Sequence, residues 1–122
     1  MHDYKKLLVW QKAITFVSEV YKITAAYPKI EQFNLVSQIN RAAVSIPSNI
    51  AEGAGRNSDK EFINFLAISH ASAYEVETQL IISRNLGYLA DLDLQYLLHQ
   101  VEEIQKMNFS LQQKLRNKKS NP

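Results

Sequence analysis

Apolar residues recur along this chain at helical spacing almost from end to end, and the pattern predicts four long helices. The first runs from about Leu8 to Ala26. Gln11, Thr15, Ser18 and Lys22 draw one polar stripe on it, and Trp10, Ala13, Ile14, Phe16, Val17, Val20, Tyr21 and Ile23 fill the remainder. That apolar arc is wider than the stripe of just over 100° that a single packing partner requires, so contact on two sides is expected. Pro28 then stops the helix and pushes Tyr27 toward extended geometry.

The second helix is predicted from about Gln32 to Glu52. Leu35, Ile39, Ala42, Ile46 and Ile50 keep the helical period, widened by Val36 and Ala43. The period continues across Pro47, which predicts a kink and not a break. Proline has no N–H to offer the Ala43 carbonyl, so water or a donor from another helix must satisfy that group. Small residues (Ala42, Ala43, Ser45, Ser48, Ala51, Gly53, Ala54) surround the proline and allow a second backbone to come close. Gly53 and Gly55 are expected to supply unusual backbone at the helix end.

The third helix opens on a capping box, Ser58 with Glu61 three residues on, and continues to about Leu86 before Gly87. Its inner face is predicted to hold Phe62, Phe65, Leu66, Ser69, Ala73, Val76 and Leu80. At about 1.5 Å per residue this helix is roughly 40 Å long. The fourth helix begins at Asp91 or Asp93 and runs to about residue 117, with 118–122 a frayed tail. Leu94, Leu97, Val101, Ile104, Asn108, Leu111 and Leu115 alternate steps of three and four, a heptad seam. Asn108 breaks the seam: buried, it fixes register; half exposed near a fraying end, it does nothing of the kind. No stretch has a strand period and no repeat or linker interrupts the chain. Residues 1–122 therefore read as a single all-α domain, an antiparallel up-down-up-down four-helix bundle.

Composition narrows this picture. A chain of 122 residues is long enough for a core. It has no cysteine, so disulfides and thiolate metal sites are excluded and a cytoplasmic location is expected. No apolar run approaches the ~20 residues of a membrane span, and the apolar stretch after the N-terminus, Leu7 to Trp10, is too short for a signal peptide. The net charge of +2 says little about partners.

The long stretch Gln38-Ile39-Asn40-Arg41-Ala42-Ala43-Val44-Ser45-Ile46-Pro47-Ser48-Asn49-Ile50-Ala51-Glu52-Gly53 carries a resemblance, with Val9-Trp10-Gln11-Lys12-Ala13, Glu75-Val76-Glu77-Thr78-Gln79-Leu80 and Gly87-Tyr88. From Leu8 to about Leu115 the chain resembles the four-helix-bundle proteins encoded by intervening sequences in bacterial 23S ribosomal RNA genes. Asn40 departs from that family, which often has a second basic residue there, and so does Ala71, where glycine is frequent. The resemblance implies a left-handed bundle, assembly into a ring-like homopentamer, and no established catalytic activity. It also implies kinship with the accessory variability determinant of diversity-generating retroelements, which works beside a reverse transcriptase and binds nucleic acid.

Enzyme chemistry finds little support in the residues. His2, His70 and His99 form no i, i+3 or i, i+4 ligand pair, and no Glu-x-x-His motif is present for a di-iron bundle. Gly53-Ala54-Gly55 lacks the Lys-Ser/Thr and the strand of a phosphate loop. No cofactor and no metal is expected. In the central motif, Arg41 reads either as a phosphate contact or as the partner of a carboxylate such as Glu52 or Glu75, and Asn49 as a tie for the backbone near Pro47. Arg56 and Lys60 flank the corner between the second and third helices, and Lys114, Arg116, Lys118 and Lys119 cluster near the C-terminal end. In an up-down bundle these six share one pole. They constitute either a nucleic-acid-binding patch, for RNA or DNA, or solvated helix ends that complement the dipole. Tyr4, Leu7, Phe16, Ile23, Tyr74, Ile81, Tyr96 and Phe109 fall outside the tidiest seams, which points to self-association or to a broad core. The expected function is a non-enzymatic homo-oligomeric scaffold that binds nucleic acid. The alternative is a protein-directed adaptor, for example beside a reverse transcriptase, with no direct nucleic-acid contact.

Overall fold

A computed structural model describes the backbone of residues 1–120 and the side chains of residues 1–118. Its four α-helices are α1 (Leu8–Thr24), α2 (Leu35–Ala54), α3 (Asp59–Asn85) and α4 (Asp91–Ser120), with 3-10 turns at Tyr4–Lys6 and Lys29–Glu31. Each helix packs on its chain neighbours and α1 closes on α4, while the diagonal pairs do not meet. The ends alternate between two poles. Thr24 Oγ1 donates to Asn40 Oδ1 at 3.1 Å, and the Tyr27 and Tyr88 rings lie 5.6 Å apart, so the α1–α2 and α3–α4 connections share one pole. Lys118 Nζ lies 3.7 Å from Asp59 Oδ2, so the end of α4 joins the α2–α3 corner at the other. The result is a four-helix bundle whose core holds Phe16, Ile39, Ile46, Ile50, Phe62, Leu66, Leu80, Leu94, Leu97 and Ile104.

Several boundaries move, each for a local reason. The second helix starts at Leu35 and not at Gln32, because Lys29–Glu31 close a 3-10 turn and Asn34 sits at φ −115°, ψ −101°. α4 is helical through Ser120; residues 121 and 122 of the expected tail lie outside the described residues. The capping box forms: the Glu61 N–H donates to Ser58 Oγ at 3.2 Å. α3 ends in a Schellman motif, with the Tyr88 N–H on the Ser83 carbonyl (2.9 Å), the Gly87 N–H on the Arg84 carbonyl (3.0 Å), and Gly87 at φ +83°.

The glycines of the central motif correct an expectation. Gly53 lies inside α2, buried, and Gly55 caps it at an ordinary right-handed φ of −85°, so neither provides left-handed backbone. Gly53 is needed for space. A Cβ there would stand 2.6 Å from Phe65 Cβ and 2.9 Å from Phe62 Cδ1, so α2 and α3 touch where only a hydrogen fits. The helix passes through Pro47 unbroken. Side-chain donors converge on the carbonyls just before it: Asn49 Nδ2 donates to the Ser45 carbonyl at 2.8 Å, and Ser69 Oγ, from α3, donates to the Ile46 carbonyl at 2.9 Å.

Candidate nucleic-acid interface

One pole of the bundle is built from the α2–α3 corner, the last turns of α4 and the N-terminal segment. It brings together five of the six basic residues singled out from the sequence. Arg56 lies on Phe65, its guanidinium carbon 4.7 Å from the ring centroid, and pairs with Glu52 at 3.5 Å. Lys118 leans on Asp59. Arg116 Nη2 donates to Gln112 Oε1 at 3.3 Å. Lys60 and Lys114 are exposed. The side chain of Lys119 lies outside the described residues.

Arg116 is the outer end of a polar ladder. Gln112 Nε2 donates to Asn108 Oδ1 at 2.7 Å, and Asn108 Nδ2 donates to the Leu66 carbonyl at 3.0 Å. Asn108 is only 1% exposed, which decides between its two readings: it is the buried polar residue that ties α4 to α3. A cation at the pole is thereby linked to the bundle interior.

The N-terminal segment completes the pole. The His2 backbone N–H donates to the Ala54 carbonyl at 2.7 Å, its ring lies 5.0 Å from Phe62, and Nε2 stands 3.2 Å from Asp59 Oδ1. The 3-10 turn that follows packs on α1 and α2 and carries Lys5 and Lys6, both exposed. Sequence patterns alone offered no signal for these residues, because the partners of His2 lie more than fifty positions away. Carboxylates are interleaved with the cations here, so the surface is a mixed field with basic residues in excess.

The central motif divides into structural parts. Glu52 serves Arg56, and Asn49 also bonds Ser45 Oγ at 2.9 Å. Arg41 does not hold helices together: it is exposed and forms no ion pair among the described residues. Glu75 accepts from Gln79 Nε2 at 3.2 Å, within its own helix.

Elsewhere the surface holds few chemical groups. His70 lines a cleft of about 490 Å³ between α3 and α4 with Tyr74, Glu102, Gln105, Lys106, Phe109 and Ser110. Burial holds its imidazole below the ordinary histidine range. Among the described residues no three His, Asp or Glu side chains converge as a metal site. Lys12 Nζ donates to Glu103 Oε1 at 3.0 Å across the α1–α4 seam, and that hydrogen bond holds the Glu103 carboxyl below its usual value. No helix is long and apolar enough to cross a membrane among the described residues. Of the apolar excess, Phe16 is fully buried, Tyr4, Leu7 and Ile23 are partly covered, and Tyr74, Ile81, Tyr96 and Phe109 remain exposed.

Comparison with known proteins adds two findings. The family model described as "23S rRNA-intervening sequence protein" matches residues 5–110. The crystal structure of a Bacteroides thetaiotaomicron protein of unknown function, from the S23 ribosomal protein family, superposes with a TM-score of 0.78 at 27% identity, covering 86% of this chain and 98% of that one. No curated protein matches the chain.

Proposed function

This chain belongs to the 23S rRNA-intervening sequence protein family, and from that premise we propose that it is a cytoplasmic, non-enzymatic, homo-oligomeric scaffold that binds RNA or DNA through its basic pole. One observation supports the reading: Lys118, near the end of α4, lies 3.7 Å from Asp59 at the start of α3, so the C-terminal cations and the α2–α3 corner with Arg56 and Lys60 share one pole. Phosphate contacts are additive and release counterions, so a modest patch gains strength when copies of the chain present it side by side. A ring, the pentamer the family resemblance suggests, multiplies it fivefold. The interleaved carboxylates favour a backbone-tracking contact of moderate affinity over a deep charged groove.

Fluorescence anisotropy with labelled single- and double-stranded RNA and DNA, across a salt series, tests this. Binding at low salt should weaken as salt rises. Exchanging Lys60 and Lys114 for Gln should reduce the salt slope by about one unit per lost phosphate contact while leaving assembly unchanged. Absence of affinity for all four probes at low salt refutes the nucleic-acid reading. It would favour the protein-directed adaptor, for example beside a reverse transcriptase, which the exposed Tyr74, Tyr96 and Phe109 also suit.

A further inference from the structure

Arg41 belongs to the central motif, yet nothing inside the bundle uses it. Of its two readings, carboxylate partner and phosphate contact, the first finds no support: no ion pair among the described residues includes it. It lies toward the pole of the α1–α2 connection, opposite the basic one. There two adjoining cavities of about 380 and 430 Å³ share Tyr21, Gln32, Val36 and Asn40. Each is within the size of small-ligand sites, roughly 300–1,000 Å³. Together they form one groove between the end of α1 and the first turns of α2.

The groove combines open rings with charge of one sign. Tyr21, from α1, and Phe33, from the connection, are 48% and 87% exposed, and both line it. A solitary exposed ring needs no explanation, but two in one groove do. Lys29 lines one cavity and Arg41 the other, and among the described residues no Asp or Glu lines either. The acid of the connection, Glu31, is engaged elsewhere: it accepts from the Tyr88 hydroxyl at 2.9 Å. Asn40 Oδ1 accepts from Thr24 Oγ1 at 3.1 Å, which orients the amide and leaves its Nδ2 donors for a ligand. The basic pole, by contrast, mixes carboxylates with its cations.

Resting on the nucleic-acid part of the function proposed above, we infer that this groove is a second contact, selective for unpaired strands. A base lies on Tyr21 and Phe33, the amides of Gln32 and Asn40 reach its polar edge, and neighbouring phosphates meet Arg41 and Lys29. A polyanion with flat apolar faces is the occupant that matches both halves of the groove. Aromatic rings accept any base by stacking, and cations track the backbone beside them. A duplex keeps its bases stacked inside and gains nothing from the rings. The basic pole can hold either form, so the groove adds a means of telling single strands from double ones.

Fluorescence anisotropy on the full chain tests this with a single-stranded oligonucleotide, an abasic strand of the same length and a duplex. Wild type should bind the base-bearing strand about tenfold more tightly than the abasic one. Phe33→Ala and Tyr21→Ala should each remove most of that difference and leave duplex affinity unchanged. Arg41→Gln should reduce the salt slope for the single strand by about 0.7. Phe33 is almost fully exposed, so its replacement does not threaten the fold, and circular dichroism and sedimentation velocity should match the wild type. Equal affinity for the base-bearing and abasic strands, or groove variants that bind single strands as the wild type does, overturns the inference; if exchanging Lys60 and Lys114 still weakens every probe, the basic pole stands. A changed mass for Phe33→Ala shows the groove to be covered by another copy and also overturns it. No binding of any probe at low salt overturns both.

Discussion

Replacing Gly53 by alanine should destabilise this protein even though alanine is the better helix former. The added Cβ would sit 2.6 Å from Phe65 Cβ, 2.9 Å from Phe62 Cδ1 and 3.3 Å from the Phe62 carbonyl oxygen. Phe62 can rotate its ring, but a Cβ and a carbonyl are fixed to the backbone of α3, so the two helices must part. Overpacking of that kind costs about 2–3 kcal/mol. The helix propensity of alanine returns about 1 kcal/mol, which leaves a net loss of about 1–2 kcal/mol and lowers the melting temperature by roughly 4–8 °C for a domain of this size. Gly55 is the control. Its nearest neighbours to an added Cβ are carbonyl oxygens at 3.7 and 3.8 Å, and its φ of −85° suits any residue. Gly55→Ala should therefore stabilise by about 0.5–1 kcal/mol, chiefly by restricting the unfolded chain. Both variants are to be unfolded in urea at one protein concentration, since assembly would otherwise shift the midpoints. A Gly53→Ala protein as stable as the wild type refutes the close contact, because nothing else at this position opposes alanine.

Two further outcomes follow from the same geometry. Asn108→Ala removes the donor to the Leu66 carbonyl and the acceptor for Gln112 in a site 1% exposed; it should cost about 2–3 kcal/mol, and a urea midpoint within error of the wild type would show that the ladder holds nothing. For Glu103, the folded pKa is lowered by Lys12, so the stabilisation from this pair is present above the unfolded carboxylate value of about 4.3 and is lost as pH falls through the lower folded value. A carboxyl-resolved NMR titration should find Glu103 below the ordinary range in the wild type and restored toward it in Lys12→Ala; an ordinary value in the wild type refutes the pairing. Both side chains are partly exposed, so the change in overall stability should be small.

The helices were legible because burial on one face imposes a period that nothing else in the chain imitates. Phe16, Ile39, Ile46, Leu80, Leu97 and Ile104 are all apolar, all at helical spacing and all buried. Caps were legible too, since Ser58 with Glu61 and the Gly87 terminator act within a few residues. What sequence could not settle was anything decided between helices. Gly53 looked like a helix end because glycines often are, yet its reason is Phe65 on another helix. Asn108 allowed two readings until its partner Leu66, far away in sequence, was placed. Arg41 had carboxylates within plausible reach, and among the described residues it pairs with none. His2 offered no ligand partner in sequence, and in the structure it is held to Ala54 and Phe62.

The same distinction bears on function. In a closed bundle most interior positions are taken by side chains that hold the helices together, and the buried Asn108, Ser69 and Ser83 each donate to a backbone carbonyl. Chemistry must then be done by surfaces, and the surfaces of this bundle differ by location. Cations collect where chain ends and the α2–α3 corner meet, because helix termini near a polar tail tolerate solvated charge. Apolar residues collect along the flanks of the long helices, where a neighbour of equal length can cover them. The proposed polyanion contact draws on the pole, Lys60 and Lys114 among its residues, and the proposed contact between copies draws on the apolar flanks. Mutations at the pole should therefore change binding without changing mass, and mutations on the flank should change mass first and binding as its consequence.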